Sequence, residues 1–179
     1  MYHCAKLLQA LVTLVAIGGV ATAGQFEDAV AAHQRGDYAT ALRLWHPLAE
    51  RGNADAQFHL GVMYAEGEGV KQSEEEAVRW YRLAAEQGYA EAQSNLGVMF
   101  DEGLGVQQDY KEAMRWYRLA ADQGDALAQI NLAVGYQKGQ GVPQDNKEAV
   151  RWYRAAAERG NALAALSNVL TALSWSPFR

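Results

Sequence analysis

Apolar residues recur at every fourth position in three short stretches of the chain, which is the spacing of one stripe along an α-helix. Each stretch contains Ala, then Leu, then Tyr or Phe. The three sets are Ala56, Leu60 and Tyr64; Ala92, Leu96 and Phe100; and Ala128, Leu132 and Tyr136. A second pattern, Ala-x-x-Trp-Tyr-x-x-Ala, follows each stretch and predicts a second helix. Its aromatic residues are interpreted as core rather than as a ligand platform, because they supply large apolar area.

The tryptophans of the second pattern, Trp80, Trp116 and Trp152, recur with a 36-residue spacing. The blocks around them are nearly identical: AVRWYRLAAEQG, AMRWYRLAADQG and AVRWYRAAAERG. Self-similarity at this spacing is typical of an array in which each unit packs on its neighbours. The pattern therefore predicts an all-α solenoid of stacked helix pairs rather than one globular core.

Capping motifs mark where each second helix begins. A capping box pairs a Ser or Asp with a Glu three residues later, and we expect the Glu side chain to reach back to the amide of the cap. The pairs are Ser73 with Glu76, Asp109 with Glu112, and Asp145 with Glu148. Glycines at 88, 124 and 160 are expected to end these helices.

A Gly-x-Gly-Val loop joins the two helices of each unit, beginning at Gly67, Gly103 and Gly139. The first glycine stands where a helix C-terminus needs a left-handed residue. A phosphate-binding loop is the alternative, but no strand precedes the glycines and no Lys-Ser/Thr follows them. A small residue after each core Leu is expected to let the second helix approach closely: Gly61, Gly97 and Ala133.

The ends of the array differ from its middle, as capping units do. Residues 26–51 are predicted to form a degenerate first pair, with a kink at Pro47. A closing helix over about 162–173 brings the expected number of helices to nine. The predicted divisions are a signal peptide (1–23), an N-terminal pair (24–51), three repeats (52–87, 88–123 and 124–159), and a capping helix with its tail (160–179).

Residues 1–23 resemble a secretory leader. Lys6 precedes an apolar run from Leu7 to Val20, and Ala21-Thr22-Ala23 forms an A-x-A cleavage signature. Cleavage near Ala23 would place the protein in the periplasm or outside the cell; an uncleaved membrane anchor or the endoplasmic-reticulum lumen are alternatives. The single cysteine, Cys4, lies in this segment, so the remaining chain has no thiol for a disulfide or a metal.

Charge and composition exclude several classes of function. The formal net charge is −5, which disfavours nucleic-acid binding, because that binding depends on neutralising phosphates with Lys and Arg. The histidines His33, His46 and His59 form no zinc motif, and no Gly-x-Ser-x-Gly elbow is present. We therefore expect neither enzymatic activity nor a cofactor nor a metal.

Each unit combines two strings, A-x-A-Q-x-x-L-G-x-x-Y/F-x-x-G-x-G-V and A-x-x-W-Y-x-x-A-A-x-x-G. Together they resemble the Sel-1-like repeat, a relative of the tetratricopeptide repeat. The resemblance covers roughly residues 52–160 and is weaker over 26–51. It implies a right-handed α-solenoid whose first helices line a concave groove, and an adaptor function in which another protein or peptide is bound. A cysteine-rich bacterial branch of the family staples each unit with a disulfide and has been linked to β-lactam binding. This chain lacks those cysteines.

The resemblance also implies which residues face the groove. They lie on the first helices outside the core stripe: Asp55, Phe58, Val62, Glu66, Glu91, Ser94, Val98, Glu102, Leu127, Ile130, Val134 and Lys138. An apolar row with acidic edges suits a peptide or helix with apolar anchors and some basic residues. Replacing Phe58 and Ile130 by Asp is expected to abolish partner binding and leave the thermal melt nearly intact. The alternative is that these positions are simply solvated or lie between helices.

A second surface supports the rival function. Arginines repeat on the second helices at Arg79, Arg82, Arg115, Arg118, Arg151 and Arg154. The second arginine of each unit has an acid four residues later, Glu86, Asp122 and Glu158, and such pairs stabilise a helix weakly. This face is either a solvated, ion-paired surface or a site for an anionic envelope polymer or an acidic partner in a structural or stress role. Binding of that kind would weaken with salt. An exported factor acting on host proteins is a further alternative.

Overall fold

The computed structural model of the chain describes residues 24–158. Those residues form eight helices and no strand, which confirms the all-α repeat fold. The first helix, α1, covers residues 24–34. The others are α2 (Tyr38–Glu50), α3 (Ala54–Glu66), α4 (Glu74–Glu86), α5 (Ala90–Glu102), α6 (Tyr110–Gln123), α7 (Ala126–Lys138) and α8 (Asn146–Glu158). The expected leader and closing helix lie outside the described residues. None of the helices within 24–158 has the length and apolar content of a membrane span.

The ends of the first helices follow the predicted glycine chemistry. Gly67, Gly103 and Gly139 adopt left-handed backbone angles and end α3, α5 and α7. The amide of Gly67 donates to the carbonyl of Met63, so the last turn is closed by backbone hydrogen bonds. Helix α2 continues past Pro47 to Glu50, and the kink at Pro47 stays a prediction.

The second glycine of each loop makes a contact between neighbouring units. A side chain added at Gly105 would overlap the backbone of Glu74, at the start of the preceding unit's second helix. Gly141 stands in the same relation to Tyr110, and Gly69 to Tyr38. Packing therefore accounts for the Gly-x-Gly pattern, and the phosphate-binding alternative loses its basis.

The second helices are capped as predicted, but only half of each capping box forms. Ser73 Oγ accepts from the amide of Glu76 at 3.3 Å, and Asp109 and Asp145 act in the same way. The reciprocal bond from the Glu side chain was a wrong expectation. The amide of Ser73 donates instead to the carbonyl of Tyr64 at 3.0 Å. Because that amide is already paired, the glutamate is free to contact Arg79.

The core is built from the predicted stripes. Trp80, Trp116 and Trp152 are buried, and Trp80 packs into the cluster formed by α3 of its own unit and by α1 and α2 of the preceding one. A Cβ at Gly61 would lie 2.5 Å from the Tyr81 ring. The small residue after the core Leu is thus the contact point of the two helices in a unit, as predicted. Neighbouring first helices also contact each other, as α5 and α7 do.

Candidate partner-binding face

The surface of α3, α5 and α7 that carries the predicted groove residues is here called the first-helix face. At its edges Asp55, Glu66, Glu91, Glu102 and Lys138 are exposed. Leu127 is also exposed, at 63%, the most of the large apolar side chains in the described part of the chain. The face therefore offers charged edges and one prominent apolar side chain to a partner.

The apolar row in the middle of this face is half-buried: Phe58, Val62, Val98, Ile130 and Val134. Phe58 and Val62 pack against the cluster around α4 and α5, and the other three pack against the cluster around α6 to α8. These side chains hold the first helices together as well as showing part of their surface. Changing Phe58 and Ile130 to Asp would consequently destabilise the fold, so the double substitution is not a clean test of binding.

Ser94 does not belong to the accessible surface. Its relative exposure is 4%, so its side chain cannot contact a partner. The equivalent positions in the neighbouring repeats carry Phe58 and Ile130, which are half-buried, whereas Ser94 is buried. The proposed face is therefore interrupted at the middle unit.

The acidic edge of the first-helix face is uncompensated. Asp55, Glu66, Glu91 and Glu102 form no ion pair within the described residues, whose ion pairs involve other acids. In the second helices, by contrast, Glu76, Glu112 and Glu148 each pair with an arginine. Other acids of the second helices have no ion pair with a described residue, but α4, α6 and α8 together carry eight acids and eight Lys or Arg residues, whereas α3, α5 and α7 carry five acids and one lysine. The net negative charge of the repeats thus lies on the first helices, where it would favour a basic partner.

A cluster of histidine and aromatic rings lies at the N-terminal end of the array, and the sequence patterns did not single it out. The His59 ring stacks on Trp45, with centroids 4.3 Å apart and planes at 1°. His33 Nε2 lies 2.6 Å from Oε2 of Glu68. Burial lowers the pKa of His59, with a further contribution from His33. The sequence signal for this cluster is His59, since the equivalent positions of the other two repeats carry Asn95 and Asn131.

The arginine face of the second helices is largely neutralised by its own neighbours. Arg79, Arg115 and Arg151 pair with the glutamate three residues earlier, at 3.2, 3.1 and 3.4 Å. The expected pairs of Arg82 with Glu86 and of Arg118 with Asp122 are wrong. These arginines lie over aromatic rings instead, Arg82 over Phe100 and Arg118 over Tyr136 and Trp152.

This arrangement gives the arginine face a structural role. Arg118 also donates to the hydroxyl of Tyr136, so one side chain of α6 contacts both α7 and α8. Stacking on an aromatic ring stabilises an arginine cation where it is partly desolvated. Arg154 is exposed, and no ring contact or ion pair involves it within residues 24–158. The ion pairs and ring contacts disfavour the use of this face for an anionic polymer, which stays a prediction.

The described residues contain no group of three or more His, Cys, Asp or Glu side chains placed to hold a metal ion. The buried tyrosines have raised pKa values, as in Tyr81, where burial raises the pKa to about 12. A raised pKa keeps the phenol protonated at neutral pH. These groups act as hydrogen-bond donors rather than as bases.

Comparison with known proteins places these features in a family. Models of the Sel1 repeat match residues 54–89, 90–125 and 126–161. The chain is similar in structure to a protective antigen of uropathogenic Escherichia coli strains that displays an SLR fold, with 40% identity and a TM-score of 0.75. The match covers 78% of this chain and 31% of that one. No curated protein matches the chain.

Two further solved structures share the fold. A Sel1 repeat protein from Oxalobacter formigenes has 35% identity and a TM-score of 0.76, over 80% of this chain and 59% of that one. Cysteine rich protein B of Helicobacter pylori has 18% identity and a TM-score of 0.59, over 74% of this chain and 94% of that one. The chain thus spans less than two thirds of the length of the first two relatives.

Proposed function

The chain belongs to the Sel1 repeat family, and we propose that it is an exported adaptor that binds a protein segment on its first-helix face. Sel1 repeat proteins are protein-interaction modules and generally not enzymes. The observation that carries the proposal is the contrast between the two faces. The first helices α3, α5 and α7 carry five acids and one lysine, whereas the eight acids of α4, α6 and α8 are balanced by eight Lys and Arg residues.

The chemistry of the partner follows from this face. Half-buried apolar side chains in the middle provide contact area, and Leu127 adds an anchor that is already exposed to water. Unpaired carboxylates at both edges favour lysine and arginine in the partner and disfavour acidic segments. A segment that combines apolar residues with basic ones therefore suits the face.

Substitution of exposed leucines on opposite faces tests the proposal. Leu127→Glu introduces the type of residue that occupies position 91, Glu91, and is expected to reduce partner capture by the purified protein about tenfold or more. Leu119→Glu is the matched control, because Leu119 is exposed at 39% on the second helix α6. Neither change should shift unfolding by more than about 0.5 kcal/mol. Equal capture by both variants would refute the assignment of the face.

Export is the second part of the proposal. The leader pattern of residues 1–23 supports it, and the similar solved structures come from bacteria. N-terminal sequencing of the protein recovered from the periplasm or the medium tests it, with a mature chain beginning at Gly24 as the expected result. A protein that keeps residues 1–23, or that stays in the cytoplasm, would contradict export.

A further inference from the structure

The residue that precedes α5, Tyr89, departs from the capping pattern of the other repeats. Asn53 and Asp125 cap their first helices by accepting from the amides of Ala56 and Ala128, at 2.8 and 2.6 Å. Tyr89 occupies the same position before α5 and forms no side-chain cap. Loss of a cap destabilises a helix, and such departures from local rules are expected where a residue serves a function.

Tyr89 contacts an aromatic ring of the preceding unit instead. Its ring centroid lies 5.0 Å from that of Phe58, with the planes at 28°. Both rings are half-buried, so each keeps part of its surface open. The other repeats have Ser94 and Ile130 in place of Phe58, so this ring pair occurs at a single junction between the matched repeats.

Two exposed carboxylates border the ring pair. Asp55 lies in the first turn of α3 and Glu91 in the first turn of α5. Neither takes part in an ion pair with another described residue. Both act on the Tyr89 hydroxyl, since burial, then the charges of Glu91 and Asp55, and a hydrogen bond to Asp55 raise the pKa of Tyr89. Aromatic surface and two carboxylates without an ion pair therefore meet at one place.

We propose that Asp55, Phe58, Tyr89 and Glu91 form a notch for an arginine side chain of the partner protein. A planar guanidinium can lie against an aromatic ring and donate hydrogen bonds to carboxylates at the same time, which an ammonium does less well. This inference rests on the proposed function and assigns part of the partner's chemistry. The equivalent positions one unit later are Glu91, Ser94, Asp125 and Leu127, which provide no ring and use Asp125 as a cap.

The probe for the notch is Nα-acetylarginine amide, titrated into the purified protein and followed by NMR of the aromatic side chains. We expect saturable shifts of the Phe58 and Tyr89 ring signals. The citrulline analogue keeps the plane without the charge, and the lysine analogue keeps the charge without the plane; both should bind more weakly. Citrulline binding as strong as arginine binding, or shifts confined to the second helices, would overturn the notch.

Tyr89→Asn is the decisive variant, because it removes the ring and introduces the residue type that caps α3. The variant gains a cap and loses the ring contact with Phe58, so it should remain folded, and it should bind the arginine probe about tenfold more weakly. Leu119→Asn, on the second helix, should leave probe binding unchanged. Undiminished binding by folded Tyr89→Asn would overturn the inference.

Partner capture separates this inference from the proposed function. A partner that binds wild type and Tyr89→Asn equally would overturn the notch and leave the adaptor function intact. Probe binding without any partner on the first-helix face would support the notch as a cation site and count against the adaptor function. Self-association that disappears in Tyr89→Asn would mean that the arginine in the notch comes from a second copy of the chain, and it would overturn the proposal of a different partner protein. Tighter probe binding by Arg179→Ala would mean that the arginine comes from the chain's own tail, and it would overturn the same proposal.

Discussion

Position 59 of the first repeat carries a histidine where the equivalent positions carry Asn95 and Asn131. The His59 ring stacks on Trp45 and lies 5.7 Å from the ring of Phe26, so it joins α3 to α1 and α2. Burial, followed by the charge of His33, lowers its pKa, and Asp55 opposes the shift. The native array therefore contains the neutral form of this imidazole at neutral pH.

A pH dependence of stability follows from this single residue. The unfolded chain binds the proton near the ordinary histidine pKa of 6.5, whereas the folded chain binds it only at lower pH. The contribution of His59 to the free energy of unfolding is thus fully present above pH 6.5, and it is lost as the pH falls toward the lower pKa of the folded state. We expect the urea midpoint to drop between pH 7.5 and 5, and to drop less in His59→Asn, measured by circular dichroism. An equal drop in both proteins would contradict the assignment.

At the scale of elements, the loop inside each repeat fixes how one unit stands on the next. Gly88 and Gly105 both have positive φ angles, 92° and 65°. A side chain at Gly88 would meet nothing within 4 Å, whereas one at Gly105 would overlap the backbone of Glu74. The two positions share the backbone requirement and differ only in the contact with the neighbouring unit.

Alanine substitution at these two glycines separates conformation from contact. Gly88→Ala should cost about 1 kcal/mol, the penalty for a left-handed alanine. Gly105→Ala should cost about 3 kcal/mol, because overlap with the α4 backbone is added to the same penalty. Chemical denaturation of the two variants measures the difference. Similar costs would mean that the second glycine serves only the turn.

The elements also show how far the sequence predicts this structure. Helix positions, the C-terminal glycines and the core stripes followed from spacing alone, because they depend on residues close in the chain. The reciprocal half of the capping box did not, because the amide of Ser73 pairs with the Tyr64 carbonyl, which only the folded loop brings near. Arg118 likewise contacts Trp152 on a helix of the next unit, and no local rule anticipates that.

The sequence predicts which positions lie on the first-helix face, but it does not predict how exposed each side chain is. The exposure of Leu127 and the burial of Ser94 depend on how the first helices pack on each other. The Phe58–Tyr89 pair joins two units, and its signal in the sequence was a tyrosine where the other repeats have a capping residue. Departures from the repeat were therefore more informative about this face than the repeat itself.

At the scale of the molecule, the array has two unlike sides. On the second helices, the acids are balanced by an equal number of Lys and Arg residues, and Arg82 and Arg118 lie over aromatic rings of the next unit. On the first helices, the acids remain unpaired beside partly open apolar side chains. The net negative charge of the described repeats lies on α3 and α5, and this difference between the two sides supports the proposal that a partner binds the first-helix face.

Site-specific photo-crosslinking tests that claim most directly. A photoreactive amino acid is placed at Leu127 or at Leu119, one on each side of the array, in protein made by its native cells. Both positions are exposed, at 63% and 39%, so the folded protein should tolerate both changes. Protein adducts from position 127 and none from position 119 are the predicted result. Adducts only from position 119, or equally from both, would contradict the assignment of the first-helix face.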